Sequence, residues 1–344
     1  MTICEIASRF NVSAVTVSKA LNYRKGVSNS LGEKIRKYAK TVGYTPNFAA
    51  RTLASGNSNI IGVCMRSRAV DFWYSEILTQ FQERMTELGY CVNTMFIEST
   101  NNVLDTTDRE LSVLNFFRPV NTRAVLLGPC DPPHIAKIKK KIGSLDGIIG
   151  FDASDQLEIP HLRLNGPQAV ELALEYFFRR GHRKIGIAGF RTWERKNIVY
   201  GGWLAAFINF IKSHNLEIHE EWMLENPEKM PGGELYEKIR RMFALPSHPT
   251  ALFCHNDVIA MIAARAARDC GLRVPEDISL IGVDDHPLDI YSSPAITTLK
   301  FNLESYIDNL VRITLAVIKG EAGPELSYVS NAELIERESV MDCI

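Results

Sequence analysis

Between residues 60 and 319, short apolar runs alternate with longer segments of helical periodicity, and that alternation limits the fold more than any other feature. The strand-like runs are Ile60–Met65, Cys91–Ile97, Ala124–Leu127, Gly147–Phe151, Lys184–Ala188, Thr250–Cys254 and Ile278–Val283. Helix candidates lie near Tyr74–Leu88, Arg109–Phe117, Pro132–Lys141, Pro167–Arg180, Gly201–His214, Gly233–Phe243, Asp257–Cys270 and Leu303–Lys319. Such alternation predicts an α/β body of doubly wound parallel sheets covered by helices on both faces. Residues 59–344 supply enough chain for two lobes with separate cores. One sheet is expected to end near Asp152 and another to begin near Lys184.

The first 55 residues follow a different, all-α pattern. Thr2 and Glu5 form a T-x-x-E capping box, and Ile3, Ile6, Ala7 and Phe10 recur at helical spacing. Asn11-Val12-Ser13 interrupts the run. Ser13 can cap a second helix, Ala14–Asn22, with Val17 and Leu21 facing inward. Two short helices around a three-residue turn suit a helix-turn-helix, whose second helix enters the major groove of DNA. They also suit an ordinary helical hairpin. A third helix, about Ser30–Val42, is closed by Gly43.

Charge favours the first reading, with a solvated basic face as the alternative. Residues 1–55 hold nine basic side chains (Arg9, Lys19, Arg24, Lys25, Lys34, Arg36, Lys37, Lys40, Arg51) against Glu5 and Glu33, so this segment carries +7. The whole chain is −1, which leaves −8 for the rest. Positive charge gathered at one end is what phosphate contact requires.

Beyond Gly43, Pro46 blocks continuation of the third helix and Asn47 can cap a new one running to about Ala54. A helix of about eight residues is unstable alone in water and needs a partner, either its own copy or DNA. Gly56-Asn57-Ser58-Asn59 reads as a joint.

In order and spacing, MTICEIASRFNVSAVTVSKALN, then GVS, then VGYTPNFAARTL resemble the LacI/GalR family of bacterial transcription regulators, and the resemblance runs to about residue 340. It implies that Ala14, Val15 and Lys19 read bases: Lys19 donates to guanine, and Ala14 and Val15 meet thymine methyls. It implies phosphate or cap contacts for Thr16, Ser18 and Asn22, and DNA contacts for Asn47 and Ala50. Leu53 would wedge into a central minor-groove step. The implied domains are a helix-turn-helix head (1–46), a hinge helix and linker (47–58), and an effector-binding and dimerisation body (59–344). The resemblance further implies a two-lobed, periplasmic-binding-protein-like body with three crossings, near 160–164, 291–297 and 322–328. Lobe 1 would hold about 59–160 and 295–324, and lobe 2 about 163–292 and 326–344.

Ligands of open α/β sheets bind beyond the C-terminal ends of strands. Trp73, Tyr74, Asp152, Trp193, Arg195, Asn256 and Asp284 are the expected effector contacts there. Aromatic faces with carboxylates and amides suit a sugar or sugar derivative. Trp73 and Trp193 singly suit a core better than a ligand contact, and Asp257 can serve equally as a helix cap. His255-Asn256-Asp257 and Gly282-Val283-Asp284-Asp285 resemble the family's effector-contact segments. Arg66–Phe72 and Val199 depart from the family pattern at this pocket. In the head, Phe10 stands where a small residue is usual, Gly32 where Arg is common, and Lys19 where Arg is more frequent.

The expected partners are a near-palindromic double-stranded DNA operator, a small-molecule effector of carbohydrate type and a second copy of the chain. The expected function is an effector-controlled, sequence-specific repressor in the cytoplasm. The alternative is a sugar-binding sensor with a vestigial head, for which Phe10 and Gly32 speak. No dinucleotide, Walker A, H-E-x-x-H or G-x-S-x-G pattern suggests an enzyme. The seven Cys lack C-x-x-C spacing, so no metal or cofactor is expected. No signal peptide and no apolar run of membrane-spanning length is read in the chain.

Overall fold

A computed structural model describes residues 2–21, 25–44, 59–66, 72–97, 103–117, 122–153, 157–191, 202–226 and 233–343. The chain divides into two compact units, Met1–Ser58 and Asn59–Ile344.

In the first unit, α1 (Ile3–Phe10), α2 (Ala14–Leu21) and α3 (Asn29–Thr41) form the expected helical head. The Thr2–Glu5 capping box is closed in both directions. Asn11 takes the left-handed conformation (φ 50°), which short polar side chains tolerate, and ends α1. Ser13 accepts the Thr16 amide at 3.1 Å to start α2. Ser28 caps α3, one residue earlier than the sequence suggests, by accepting from the Leu31 amide. At the other end Gly43 turns left-handed (φ 62°). Its N–H donates to Lys40 and that of Tyr44 to Ala39, so two otherwise orphaned carbonyls are satisfied. Ile6, Ala7, Val17, Ala20, Ile35 and Ala39 make the core.

The body contains two six-stranded sheets. The first comprises β1 (Ile60–Met65), β2 (Cys91–Phe96), β3 (Ala124–Gly128), β4 (Ile148–Gly150), β5 (His161–Leu164) and β11 (Ser327–Ser330), in the order β11-β5-β4-β3-β1-β2. The second comprises β6 (Ile185–Arg191), β7 (Met223–Asn226), β8 (Ala251–Cys254), β9 (Ser279–Val283), β10 (Thr297–Phe301) and β12 (Ala332–Ile335), in the order β12-β10-β9-β8-β6-β7. All pairs are parallel except β12 with β10. The first five strands of each sheet thus follow one doubly wound topology, 2-1-3-4-5, and the sixth arrives from the end of the chain. Helices α4 (Phe72–Glu87), α5 (Val103–Phe117), α6 (Pro132–Ile142), α7 (Gly166–Arg179), α8 (Trp203–Ser213), α9 (Gly233–Phe243), α10 (Asp257–Asp269) and α11 (Leu303–Ile318) connect them.

The chain passes between sheets at Leu164–Gly166, Phe301–Leu303 and Ser330–Ala332. These positions correct the expected crossings, most of all the second: β10 lies in the second sheet, so residues 297–301 belong to lobe 2. Five strands, β5, β7, β10, β11 and β12, lack a sustained apolar run and take their conformation from pairing with neighbours. An Asn stands at each passage. Asn165 caps α7 and Asn302 caps α11, and the Asn165 amide donates to Asn331 at 2.8 Å. Gln168 pairs both ways with the Ala332 backbone. Among the described residues, no helix is long and apolar enough to cross a membrane.

Candidate functional site

The head presents α2 on a finished three-helix core. Val17 and Ala20 point inward, Ala14, Thr16 and Ser18 are half-buried, and Lys19 is exposed. Val15 is 63% exposed, an apolar side chain held out in water on the helix read as base-contacting. Thr16 shares a hydroxyl contact with Ser13 at 2.9 Å, so it serves the cap of α2. The two departures that argued against a working head have structural accommodations. The Phe10 ring packs edge-on against Tyr38 of α3, centroids 5.5 Å apart, and joins the core from its margin. Gly32 lies beneath the guanidinium of Arg36, which donates to the Ala20 carbonyl of α2 at 2.8 Å. Asn22, Asn47, Ala50 and Leu53 lie outside the described residues.

In both sheets the strand order reverses next to the first strand, which opens a crevice at the carboxyl ends of β1 and β3, and of β6 and β8. Three expected residues meet at the lobe-1 end. Tyr74 on α4 donates its hydroxyl to the Asp152 carboxylate. The Asp152 backbone N–H donates to the Tyr306 hydroxyl of α11 at 3.2 Å. Trp73 stands edge-on to Tyr306 and tilted against Phe301, with centroids 5.7 and 6.1 Å away. Trp73 is only 5% exposed and belongs to the core as much as to any ligand surface. Burial raises the Tyr306 phenol well above the ordinary tyrosine range, so the group stays a neutral donor.

In lobe 2, Trp203 stacks on Phe253 at 6.0 Å and leans against His255 and Phe301 at 4.7 and 6.4 Å. An aromatic run Trp73–Phe301–Trp203–His255 therefore extends from a lobe-1 helix across the second passage into lobe 2. Phe72 of α4 meets His286, which follows β9, at 4.7 Å beside it. Tyr306, Phe301, Trp203 and His286 were not among the expected contacts. Each looks like an ordinary core or loop position until the two lobes are assembled.

The carboxylates divide by role. Asn256, not Asp257, caps α10: its Oδ1 accepts the Ile259 N–H at 2.9 Å, which leaves the amide nitrogen with donor capacity for a ligand. Asp257 is buried and accepts from the Thr298 hydroxyl at 2.6 Å and the His286 N–H at 2.9 Å. A Cβ on Gly282 would sit 2.0 Å from its Oδ1, so glycine there is what admits this carboxyl beneath β9. Burial, then repulsion from Asp289 and Asp284, raises Asp257 far above the usual carboxylate range against the pull of its two hydrogen bonds. Asp285 behaves oppositely: burial works against its ionisation, but Arg337 and Lys300 hold it below the ordinary range. Asp285 is thereby a structural anchor. Asp284, at φ 104°, and Asp152, at φ 44°, occupy left-handed backbone at strand ends. Positive φ outside glycine clusters at functional sites. Arg66, at the end of β1, is ion-paired at 3.1 Å with fully buried Glu110, so its charge is answered within lobe 1. Trp193 and Arg195 lie outside the described residues. Among the described residues no cluster of His, Cys, Asp and Glu could hold a metal.

Residues 2–47 match the family described as bacterial regulatory proteins, lacI family, and residues 174–340 match a periplasmic binding protein-like domain. The chain is 30% identical over 347 residues to the probable HTH-type transcriptional repressor ExuR of Bacillus subtilis, covering 99% of this chain and 98% of that one. It belongs to the lacI family of bacterial regulatory proteins. The HTH-type transcriptional repressor PurR of Escherichia coli is 28% identical over 341 residues, covering 99% of this chain and 97% of the other. Among solved structures, the Lac repressor dimer bound to operator and the anti-inducer ONPF superposes with a TM-score of 0.83 at 22% identity, covering 99% of each chain. The CelR–cellobiose complex gives 0.65 at 18%, covering 98% and 99%. The head-plus-two-lobe architecture read from the sequence is the lacI-family architecture, and the protein is a DNA-binding transcription regulator.

Proposed function

We propose that this lacI-family member is a homodimeric cytoplasmic repressor whose operator affinity is set by a small polyhydroxylated effector, a sugar or sugar derivative, held between the lobes, with no catalytic step. The observation that carries the effector assignment is the aromatic run from Trp73 to His255, flanked by the Tyr74–Asp152–Tyr306 cluster and by Asn256 and Asp284. Ring faces cover the apolar face of a pyranose, while the carboxylates, phenols and amide take its hydroxyls. Because the site draws on both lobes, an effector binds one lobe angle better than another and shifts the population by that difference in affinity. Trp193, Arg195, Asn47, Ala50 and Leu53 remain part of this proposal: the first two as effector contacts, the others as DNA contacts of a hinge helix.

The dimer assignment is supported by a run of exposed apolar side chains after β9. Leu288 and Ile290 are more than half exposed and Tyr291 is 78% exposed. The Asp257–His286 hydrogen bond ties the start of this run to the start of α10, where Val258 is also exposed. An exposed apolar patch of this kind is an association surface.

The test is selection of DNA from a random pool by the purified full-length protein at near-physiological salt, followed by titration of sugars and sugar acids into the selected complex. Recovery of a near-palindrome that one such ligand releases or tightens is the expected result. A single unpaired half-site would sink the dimer assignment, and a complex that no sugar alters would sink the effector class.

A further inference from the structure

Gly32 and Arg36 lie one turn apart on α3. Gly32 is buried on α3, and a Cβ built there would lie 3.0 Å from Arg36 Nη1 and 3.5 Å from Cζ. The side chain of Arg36, one turn further along, lies back over the glycine. From there Nη1 donates to the Ala20 carbonyl at 2.8 Å. Ala20 lies in the last described turn of α2, and its carbonyl takes the Arg36 donor. Lys19, the one base-reading candidate with a charge, is the residue immediately before Ala20.

We propose that Arg36 is a positioning residue for operator recognition: it clamps the C-terminal end of α2 and so fixes where Lys19 projects, and Gly32 exists to make room for it. The proposal rests on α2 being the helix that reads DNA. Its consequence is that Arg36 acts on specificity through the Ala20 carbonyl and not by neutralising a phosphate. A phosphate contact and a clamp differ in salt dependence. Loss of one phosphate contact lowers the slope of log affinity against log salt by about 0.9, whereas loss of a clamp lowers affinity at every salt concentration with the slope unchanged.

The experiment uses the full-length protein and the duplex that the wild type itself selects from a random pool. Arg36→Met keeps the aliphatic stem and removes the donors. It should weaken that duplex about tenfold, in line with one charge-assisted hydrogen bond, at an unchanged salt slope. Arg36→Lys, which can still donate to one carbonyl, should recover most of the loss. Gly32→Ala supplies a readout that simple stabilisation of α3 does not. Alanine favours the helix, so hydrogen exchange of the α3 amides should be no faster than in the wild type. A Cβ 3.0 Å from Nη1 asks the flexible guanidinium end to yield by a few tenths of an ångström, so operator affinity should fall less than in Arg36→Met. The double variant Gly32→Ala/Arg36→Met should bind no worse than Arg36→Met alone, since both changes act on one contact. A slope reduced by about 1.8 in Arg36→Met, one contact in each of the two heads, or wild-type affinity in Arg36→Met, overturns the clamp while leaving DNA recognition standing. A wild type that selects no sequence overturns the recognition reading itself, and the clamp with it.

Discussion

At the scale of single residues, the lobe-2 carboxyl cluster makes a clear prediction about pH. Unfolded, Asp257 is an ordinary carboxyl that ionises near pH 4. Folded, it holds its proton well above that value, and its neighbour Asp289 is raised as well, first by burial. Between the unfolded and folded values, the native state binds a proton that the unfolded chain has released. Stability from this group is therefore greatest at the acid end of the window and falls as pH rises, by up to ~1.4 kcal/mol per pH unit. Asp257→Asn is neutral at every pH and still offers an acceptor to Thr298 or His286. Denaturant unfolding of the variant at pH 5, 7 and 9 should show a flatter profile than the wild type; an equal slope would mean that the proton resides elsewhere. Residue-scale reading of the sequence had mixed reach. Asp152 and Tyr74 stood out because polar groups follow a strand end. Tyr306 did not, because it occupies an apolar position in the stripe of a helix, and only assembly of the lobe puts its hydroxyl against Asp152. Asp257 looked like a cap, yet the cap is its neighbour Asn256, and the buried carboxyl has a different use.

At the scale of elements, most helices were legible to within a residue or two, since their 3.6-residue stripes and caps are local: α9 spans the expected Gly233–Phe243, whereas α5 begins at Val103, six residues before the expected Arg109. Strands were legible where an apolar run marks them, whether buried like β1 or largely exposed like β2. β1 and β9 are continuous apolar runs, whereas β5 (His-Leu-Arg-Leu) and β11 (Ser-Tyr-Val-Ser) mix polar with apolar and are strands because they pair with each other. That is why the lobe passages were misplaced by several residues. The passages themselves carry a prediction. Asn165 and Asn331 lie on different passages and share a hydrogen bond, and Asn165 also starts α7. Any change in lobe angle has to turn the backbone at these residues. Asn331→Ala removes the cross-link without touching the cap. It should alter effector affinity between two- and tenfold while leaving the thermal midpoint within a few degrees, the modest cost of one exposed hydrogen bond. Calorimetric titration with the identified effector reads the change, and unaltered affinity would show that the two passages move independently of this bond.

At the scale of the whole molecule, family and architecture were legible because head, joint and body announce themselves in order. The association surface was not. Ile290 and Tyr291 sit in a single 3-10 turn, Asp289–Tyr291, that Leu288 precedes and that no sequence pattern announces, and their exposure is a property of the folded lobe. Tyr291→Asp places a charge at the most exposed point of that surface. Sedimentation should then give a monomer at concentrations where the wild type is dimeric. Operator affinity should fall by at least a hundredfold, because the two half-sites are no longer bound together. A dimer of undiminished stability would move the interface elsewhere on the body.

The exchange of final strands between the sheets has a consequence for how the chain is made. β11 completes the first sheet and β12 the second, and both emerge from the ribosome after every other strand of the two sheets, within nine residues of one another. Until then neither lobe is whole, and β5 and β10 lie at open sheet edges that invite pairing with another nascent chain. The head suffers no such delay, since its three helices share a core of their own. In the cell, a molecule able to grip DNA is thus synthesised long before one able to sense a ligand. A message cut short before residue 327 yields a basic head tethered to a sticky, unfinished body.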